Sequence, residues 1–208
     1  MMPQRATMPR MRIFLAGGSG VIGVRLVPLL VAAGHEVVAM TRSPAKLDVL
    51  RGLGAEPVLC DVFDADALGA AVTAAQPDAV IHQLTDLPDD VRQIAAGREA
   101  NARIREQGTD NLLAAAVGVE RLLVQSIAWL IDGVRTSSVV HLERLTRAAG
   151  GTVLRYGQWY GPGTYHAAPP EPPRIHVDIA ARATVDALEL SPATYEVTDD
   201  GTVEVDDA

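Results

Sequence analysis

Glycine residues gather near the start of the chain, directly after a short apolar run. Residues 13–16 are Ile, Phe, Leu and Ala, and glycines follow at positions 17, 18, 20 and 23. This order predicts a buried strand, a tight turn and the start of a helix. Gly18, Gly20 and Gly23 have the spacing G-x-G-x-x-G, which turns the chain, brings backbone amides close to a pyrophosphate and packs the helix on the sheet. An ordinary strand-to-helix turn without a ligand is the alternative.

Polar residues also follow the next three predicted strands. Arg42 follows the second strand, Asp61 the third, and residues 83–85 the fourth. Ligands of an open parallel sheet bind beyond the carboxyl ends of its strands, near the point where the strand order reverses. Asp61 could therefore accept a hydrogen bond from an adenine amino group, or it could cap a turn.

The residue type after the second strand distinguishes two dinucleotides. An acidic residue there binds the adenosine ribose of NAD, whereas an arginine can pair with the 2′-phosphate of NADP. Residues 41–43 are Thr, Arg and Ser, so the sequence favours NADP. Arg42 could instead be a solvated loop residue, and Arg25 could be a second phosphate partner or a surface residue. The predicted cofactor contacts are the turn and strand-end residues Gly17, Ser19, Gly20, Val21, Ile22, Gly23, Arg42, Asp61, Val62, Gln83, Leu84 and Thr85.

The elements that position these residues alternate between strand and helix patterns along most of the chain. Hydrophobic residues make up 48% of the sequence and aromatic residues only 4%, which is typical of a parallel sheet covered on both faces. We predict an α/β fold, a Rossmann-type doubly wound parallel sheet with a reduced C-terminal substrate-binding region. The predicted segments are a disordered leader at 1–11, an NAD(P)-binding domain at 12–155, a substrate-binding region at 156–198 and an acidic tail at 199–208.

The charge and the composition exclude several classes of partner and of structure. The formal net charge of -8 and the sequence pI near 5.0 argue against a nucleic-acid partner, because phosphate binding requires a basic face. Cys60 is the single cysteine, which excludes an internal disulfide framework and suits a reducing cytoplasm, and we expect it to be a small core residue. We find no uncharged apolar segment of the roughly 20 residues that a membrane helix needs, and we predict no metal site.

A long helix is predicted at 98–117, and several of its residues are unusual in helices. Asn101, Gly108, Thr109 and Asn111 all lie within it, although glycine and asparagine lower helix propensity. They indicate close packing or a specific contact, and a locally broken helix would explain them as well.

A set of short motifs resembles the extended short-chain dehydrogenase/reductases, the NAD-dependent epimerase/dehydratase family. The motifs occur in the family's order over about residues 12–198, at positions 17–23, 61–62, 108–113, 125–126, 154–156, 160–162 and 175–178. The resemblance implies a Rossmann sheet, an NAD(P) cofactor and catalysis beside the nicotinamide. It also implies that Ser126 is the hydroxyl that hydrogen-bonds the reacting carbonyl or alcohol.

The family's usual acid/base pair is a tyrosine followed four residues later by a lysine, and this sequence departs from that pattern. In the family the lysine ammonium lowers the tyrosine pKa toward neutrality. Counting the usual spacing from Ser126 places Leu142 or Glu143 where the lysine would fall, and Lys46 is the only lysine. We therefore expect the usual proton relay to be absent.

Several residues could replace the missing acid. Tyr156 and Tyr160 are predicted at the substrate edge and could donate a proton, although either could only pack there. His141 has a suitable ordinary pKa but is predicted on the outward face of its helix. His82 lies inside a strand and His176 in a short strand motif, so both are predicted to be structural.

Short loops limit the space for a substrate. The loops at 130–136 and 164–174 are short for the family, which favours a small or polycyclic molecule over a nucleotide sugar, with Trp129, Trp159 and Tyr165 as an aromatic wall. We predict an NADP(H)-binding oxidoreductase-like enzyme for a small-molecule metabolite. The alternatives are a non-redox epimerase, dehydratase or cyclase, and a catalytically silent NADP-binding sensor or partner-binding protein. A homodimer through helices 98–117 and 137–149 is expected by analogy alone.

Overall fold

The computed structural model describes residues 9–131 and 133–206. Its first half contains β1 (Arg12–Ala16), α1 (Gly23–Ala32), β2 (Glu36–Thr41), α2 (Leu47–Gly52), β3 (Glu56–Leu59), α3 (Ala65–Ala75) and β4 (Ala79–His82). Its second half contains α4 (Arg98–Arg103), α5 (Thr109–Ala115), β5 (Arg121–Ile127), α6 (Ser137–Ala148), β6 (Thr152–Tyr156), β7 (Gln158–Tyr160), β8 (Arg174–His176), α7 (Val177–Asp186), β9 (Thr194–Thr198) and β10 (Gly201–Glu204).

The strand order places a crevice in the middle of the sheet. Within the described ranges, the main sheet has eight strands in the order β10-β9-β6-β5-β4-β1-β2-β3. Its neighbours pair in parallel except for β9 and β10, which are antiparallel. Because the order runs outward from β1 in both directions, a crevice forms beyond the carboxyl ends of β1 and β4. This confirms the predicted doubly wound α/β fold.

Two apolar layers cover the sheet because successive residues of each buried strand face opposite sides. On β1, Ile13 and Leu15 contribute to the layer that contains residues of α1 and α7, whereas Phe14 and Ala16 contribute to the layer that contains residues of α3, α5 and α6. Cys60 is 6% exposed in the second layer, as expected for a small core residue. Burial on both faces explains the continuous apolar runs of the strands.

The helix predicted at 98–117 is interrupted in its middle. A π-helical turn at Ile104–Gly108 separates α4 from α5. A side chain at Gly108 would come within 3.3 Å of Val62 and 3.1 Å of Ile104, so the glycine lets the helix pack closely against the residues after β3. Both expectations for this segment, close packing and a local break, therefore hold.

The acidic C-terminal segment pairs with the sheet. Gly201 has a φ of +122° and ends the turn after β9, and β10 then pairs with β9. This corrects the expectation of a tail that begins at residue 199, because backbone hydrogen bonds to β9 hold residues 201–204 in the sheet; residues 207 and 208 lie outside the described residues.

The N-terminal segment joins the core before β1 begins. Met11 is 6% exposed, and its backbone amide donates to Nδ1 of His35 at 3.2 Å. The predicted leader thus ends earlier than expected, and its residues 1–8 lie outside the described residues. Over the described chain, none of the helices has the length and apolar character needed to cross a bilayer.

Candidate functional site

The glycine turn between β1 and α1 is tied to both neighbouring strands. The amide of Gly18 donates to the carbonyl of Met40 on β2 at 3.1 Å, and the amide of Gly20 donates to the carbonyl of Gly17 at 3.1 Å. Gly17 has a φ of +93°, and a side chain there would lie 2.8 Å from the carbonyl oxygen of Gln83. The turn therefore needs glycine at position 17 for its backbone conformation and for its contact with the strand end.

Three backbone amides have no backbone acceptor where the turn leads into α1 within the described residues. Over the described residues, the amides of Ser19, Val21 and Ile22 donate to no backbone acceptor outside regular elements. They precede the first helical residue, Gly23, at the positive end of the helix dipole. Free amides at a helix N-terminus are the usual binding groups for a phosphate.

Packing excludes a side chain at Gly23 but not at Gly20. A side chain at Gly23 would lie 2.3 Å from the carbonyl oxygen of Gly17, so the fold itself forbids one. Gly20 is exposed, and a side chain there would meet only the Gly17 carbonyl at 3.4 Å. The fold leaves room for a side chain at Gly20, so packing does not require glycine at this position.

Arg42 and Asp61 stand at the ends of β2 and β3, as predicted. The guanidinium of Arg42 is paired with Asp86, which follows β4, at 2.6 Å between Nη2 and Oδ1. Asp61 accepts a hydrogen bond from the amide of Phe63 at 3.0 Å, so its side chain caps a turn. Ser19 and Thr41 join the same edge through a 2.8 Å contact between their hydroxyls.

The strand end at β4 contains a buried amide with few polar neighbours. Gln83 is 5% exposed, and within the described chain its Oε1 and Nε2 make no hydrogen bond of ordinary geometry, although its side chain interacts with the Tyr156 hydroxyl. Leu84 donates its amide to Nδ1 of His82 at 3.2 Å, and Thr85 follows, half-buried. A buried amide with unused hydrogen-bonding capacity at the strand end beside the N-terminus of α1 fits a dinucleotide that extends from the glycine turn across β4.

Residues of the interrupted helix hold the strand ends in place. Asn111 donates to the carbonyl of Val62 at 2.9 Å, Thr109 contacts Nε2 of His82 at 3.1 Å, and Asn101 accepts the amide of Asp86 at 3.1 Å. Nδ1 of His82 accepts a hydrogen bond, so the ring proton lies on Nε2 and donates to Thr109. Burial lowers the pKa of His82 to about 4, which keeps the ring neutral and structural, as predicted.

Ser126 lies at the end of β5 in a buried group of charged residues. Its hydroxyl donates to Oε1 of Glu143 at 2.5 Å, and both residues are 2% exposed. Arg155 donates to the two carboxylate oxygens of Glu143 at 3.0 and 2.6 Å, and Arg135 approaches Oε1 at 3.3 Å. Ser126 was predicted from the sequence, but the ion-pair network around Glu143 was not. The only sequence signal for this network is a glutamate on the apolar side of a helix.

Tyr156 does not lie at the substrate edge, which corrects the sequence prediction. It is 1% exposed, and its hydroxyl contacts the Thr184 hydroxyl of α7 at 2.6 Å. Burial raises its pKa to about 12. A core position beneath α7 gives this phenol no route to a substrate.

Tyr160 on β7 is partly exposed, and it contacts residues of the C-terminal segments. Its hydroxyl donates to Oδ2 of Asp199 at 3.2 Å, and its ring meets the His176 ring edge-on, with centroids 5.1 Å apart. Its pKa is raised by desolvation and by the Asp199 carboxylate. His176 caps α7 by accepting the amide of Asp178, which agrees with its predicted structural role.

The three predicted wall residues occupy different surroundings. Trp159 packs partly buried against the α1 and α7 layer and edge-on to Tyr156. Tyr165 donates its hydroxyl to the carbonyl of Pro88 and lines an open cavity of about 450 Å³ with Thr164 and residues 89–91. Trp129 is half-buried in the segment after β5. The lining of this cavity includes Tyr165 but neither tryptophan.

Arg25 joins the nucleotide turn to the C-terminal region. It donates to Asp178 at 2.8 Å, to the carbonyl of Val21 at 2.6 Å and to the carbonyl of Pro162. These contacts connect α1 with α7 and with the segment after β7. His141 pairs with Asp110 on α5 at 2.8 Å and so lies on the helix layer, away from the crevice.

A doubly wound sheet with a glycine turn at its central crevice defines a dinucleotide-binding α/β protein. The sequence model of a family described as NAD(P)H-binding matches residues 17–147, and the chain belongs to this family. The resemblance to the extended short-chain dehydrogenase/reductases is also confirmed. The chain is thus a member of an NAD(P)H-binding family, and its named sequence relatives include reductases and dehydrogenases.

Two relatives from Streptomyces are reductases. The chain is 36% identical over 241 residues to the 3-diazoavenalumate denitrifying reductase of Streptomyces sp, with 91% of this chain and 76% of that protein covered. It is 30% identical over 197 residues to the 2′-dehydrokanamycin reductase of Streptomyces kanamyceticus, with 83% and 53% covered. The 241-residue match is longer than this 208-residue chain, so the first relative has residues inside the matched span that this chain lacks.

A solved structure shares the fold. The UDP-glucose 4-epimerase of Thermus thermophilus, in complex with NAD, superposes with a TM-score of 0.75 at 20% identity. The match covers 93% of this chain and 79% of the epimerase. At this identity the likeness describes the architecture of the crevice and not its substrate.

Proposed function

We propose that this chain is an NADP(H)-dependent reductase of a small-molecule metabolite. The observation that carries the proposal is the glycine turn, where amides without a backbone acceptor, a helix N-terminus and the room for a side chain at Gly20 together fit a pyrophosphate. The two Streptomyces relatives, both named as reductases, support the redox assignment.

The preference for NADP rests on Arg42. It follows β2 directly, between Thr41 and Ser43, where an acidic residue would favour NAD. Its side chain is 56% exposed and can reach a ligand in the crevice. A guanidinium binds a phosphate through two parallel hydrogen bonds, and this favours NADP over NAD.

The proposed substrate side combines a buried hydroxyl with aromatic residues. Ser126 donates its only hydroxyl proton to Glu143, so it could accept a hydrogen bond from a product alcohol but has no proton left to donate to a substrate carbonyl. Tyr160 is partly exposed, unlike the buried Tyr156, and we propose it as the proton donor. Trp129, Trp159 and Tyr165 are proposed to bind a compact aromatic or polycyclic molecule.

When bound, the reduced nicotinamide supplies a hydride. The chain's own contribution is to fix the dinucleotide at the turn, to orient it along the ends of β4 and β5, and to exclude water. The buried amide of Gln83, which has hydrogen-bonding capacity left over, is proposed to orient the nicotinamide half of the ligand.

The proposal is tested by binding followed by turnover. Calorimetry with NADP and NAD measures affinity, and the absorbance of reduced nicotinamide measures oxidation of NADPH with a panel of small aromatic carbonyl compounds. We expect micromolar binding and substrate-dependent loss of NADPH absorbance, which Tyr160→Phe lowers. Product formation without loss of absorbance would support a non-redox enzyme instead, and tight binding without turnover a sensor.

A further inference from the structure

An ion pair spans the crevice in front of the glycine turn. Arg42 follows β2 and Asp86 lies on the segment after β4, and these strands flank β1 on its two sides. Nη2 of Arg42 is 2.6 Å from Oδ1 of Asp86, and Nη1 is 3.4 Å from Oδ2. Both nitrogens of the guanidinium that would face a phosphate are therefore directed at one carboxylate.

Asp86 is held in position by the helix layer. Its backbone amide donates to Oδ1 of Asn101, a residue of α4 that is only 7% exposed. The Asp86 side chain is itself 25% exposed, compared with 56% for Arg42. The carboxylate is thus the more fixed partner, and the arginine is the partner that can turn toward a ligand.

Arg42 also has a second carboxylate nearby. The pKa of Arg42 is raised, mainly by its hydrogen bond with Asp86 and further by the charges of Asp86 and Asp61. A dianionic 2′-phosphate that binds Arg42 must share or displace Asp86 and enter the field of both carboxylates. A ribose hydroxyl carries no charge and leaves the pair intact.

We infer that Asp86 is a specificity-determining residue, which limits the preference for NADP over NAD by competing with the 2′-phosphate for Arg42. This inference rests on the proposed function, because it concerns the same dinucleotide site. The preference between NADP and NAD is then set by Arg42 together with Asp86, 44 positions later in the sequence, and not by Arg42 alone.

The test measures the ratio of NADP to NAD affinity by calorimetry at constant ionic strength. Asp86→Asn keeps the shape of the side chain and removes its charge, so we expect NADP to bind roughly two- to fivefold more tightly with NAD unchanged. Asp89→Asn is the matched control, since it removes an exposed charge of the same segment without contacting Arg42; it should leave the ratio unchanged.

A double variant tests whether the change in the NADP to NAD affinity ratio depends on Arg42. In an Arg42→Gln background, Asp86→Asn should no longer change the ratio, because the residue for which Asp86 competes is gone. An unchanged ratio in Asp86→Asn, an equal change in Asp89→Asn, or a persisting effect in the Arg42→Gln background would each overturn the inference while leaving the proposed function intact. Failure of the unaltered chain to bind either dinucleotide would overturn both.

Discussion

The hydroxyl of Ser126 donates a 2.5 Å hydrogen bond to Oε1 of Glu143, and this contact joins the end of β5 to the middle of α6. Arg155 on β6 binds the same carboxylate through two hydrogen bonds. Three neighbouring elements therefore meet at one buried charge. The side chain of the predicted catalytic serine is oriented by this network.

Glu143→Gln should be strongly destabilising. It leaves Arg155, whose side chain is 8% exposed, beside a neutral amide, and breaking a buried ion pair costs about 3 to 5 kcal/mol of unfolding free energy. Denaturant unfolding at neutral pH measures the loss. Glu99→Gln, at an exposed site of α4, is the control and should change stability by less than about 0.5 kcal/mol. Equal stability of the two variants would show that the network contributes little.

The contribution of Glu143 should also depend on pH. Burial alone would raise the pKa of Glu143, but hydrogen bonds from Arg155 and Ser126 lower it below its ordinary value of 4.5. The unfolded chain therefore binds the proton more readily, and the stability due to Glu143 is present above about pH 4.5 and lost as the pH falls below it. The stability difference between the unaltered chain and Glu143→Gln should shrink in that range. A difference independent of pH would contradict this assignment.

His82 should produce a separate pH dependence at higher pH. Its pKa is lowered by burial from 6.5 to about 4, so between these values the unfolded chain binds a proton that the folded chain does not. Stability should rise by about 3 kcal/mol as the pH increases from 4 to 6.5. His82→Asn should remove most of this slope, with a remainder from His35, whose pKa burial also lowers. Val80→Ala, on the same strand, should lower stability and keep the slope.

Gly20→Ala and Gly23→Ala should separate binding from folding. Space is available at Gly20, so its alanine variant should fold with a stability change of about 1 kcal/mol or less and bind dinucleotide at least roughly tenfold more weakly. Gly23→Ala forces a contact of 2.3 Å with the Gly17 carbonyl and should destabilise the fold by about 1 to 3 kcal/mol or more. Thermal unfolding and calorimetry distinguish the two. Unchanged affinity in Gly20→Ala would argue against phosphate binding at the turn.

Asn111→Ala should weaken dinucleotide binding through the strand end at Val62. The variant loses a hydrogen bond of 2.9 Å to the Val62 carbonyl, which costs about 1 kcal/mol and frees the segment that contains Asp61. Gln107→Ala, an amide one turn earlier on the exposed side, is the matched control. Calorimetry should show weaker affinity in the first variant only, and equal affinities would place the adenine contact elsewhere.

The sequence predicted the central crevice because its signals are local. Glycine spacing, an apolar strand and a helical pattern all lie within residues 12–33, so neighbouring residues specify the strand, the turn and the helix there. Arg42 was identified for the same reason, but its partner Asp86 was not, since nothing near either residue specifies which distant loop will face it. Contacts of this kind depend on the strand order, which emerges only from the whole chain.

Tyr156 shows a different limit. The strand that contains it is buried on both faces, with all of its residues buried from Thr152 to Tyr156, so no alternation of apolar and polar residues indicates which way the tyrosine points. The Tyr156 hydroxyl contacts the hydroxyl of Thr184 on α7, which lies 28 residues later in the sequence. The burial of Glu143 could not be predicted either, because a glutamate in a helix ordinarily faces solvent.

Asn101, Thr109 and Asn111 belong to the interrupted helix formed by α4, the π-helical turn and α5, and they contact residues at or after the ends of β3 and β4. One helical segment therefore fixes the backbone on both sides of β1, so the spacing between these strand ends is set by a layer of the fold that lies outside the sheet.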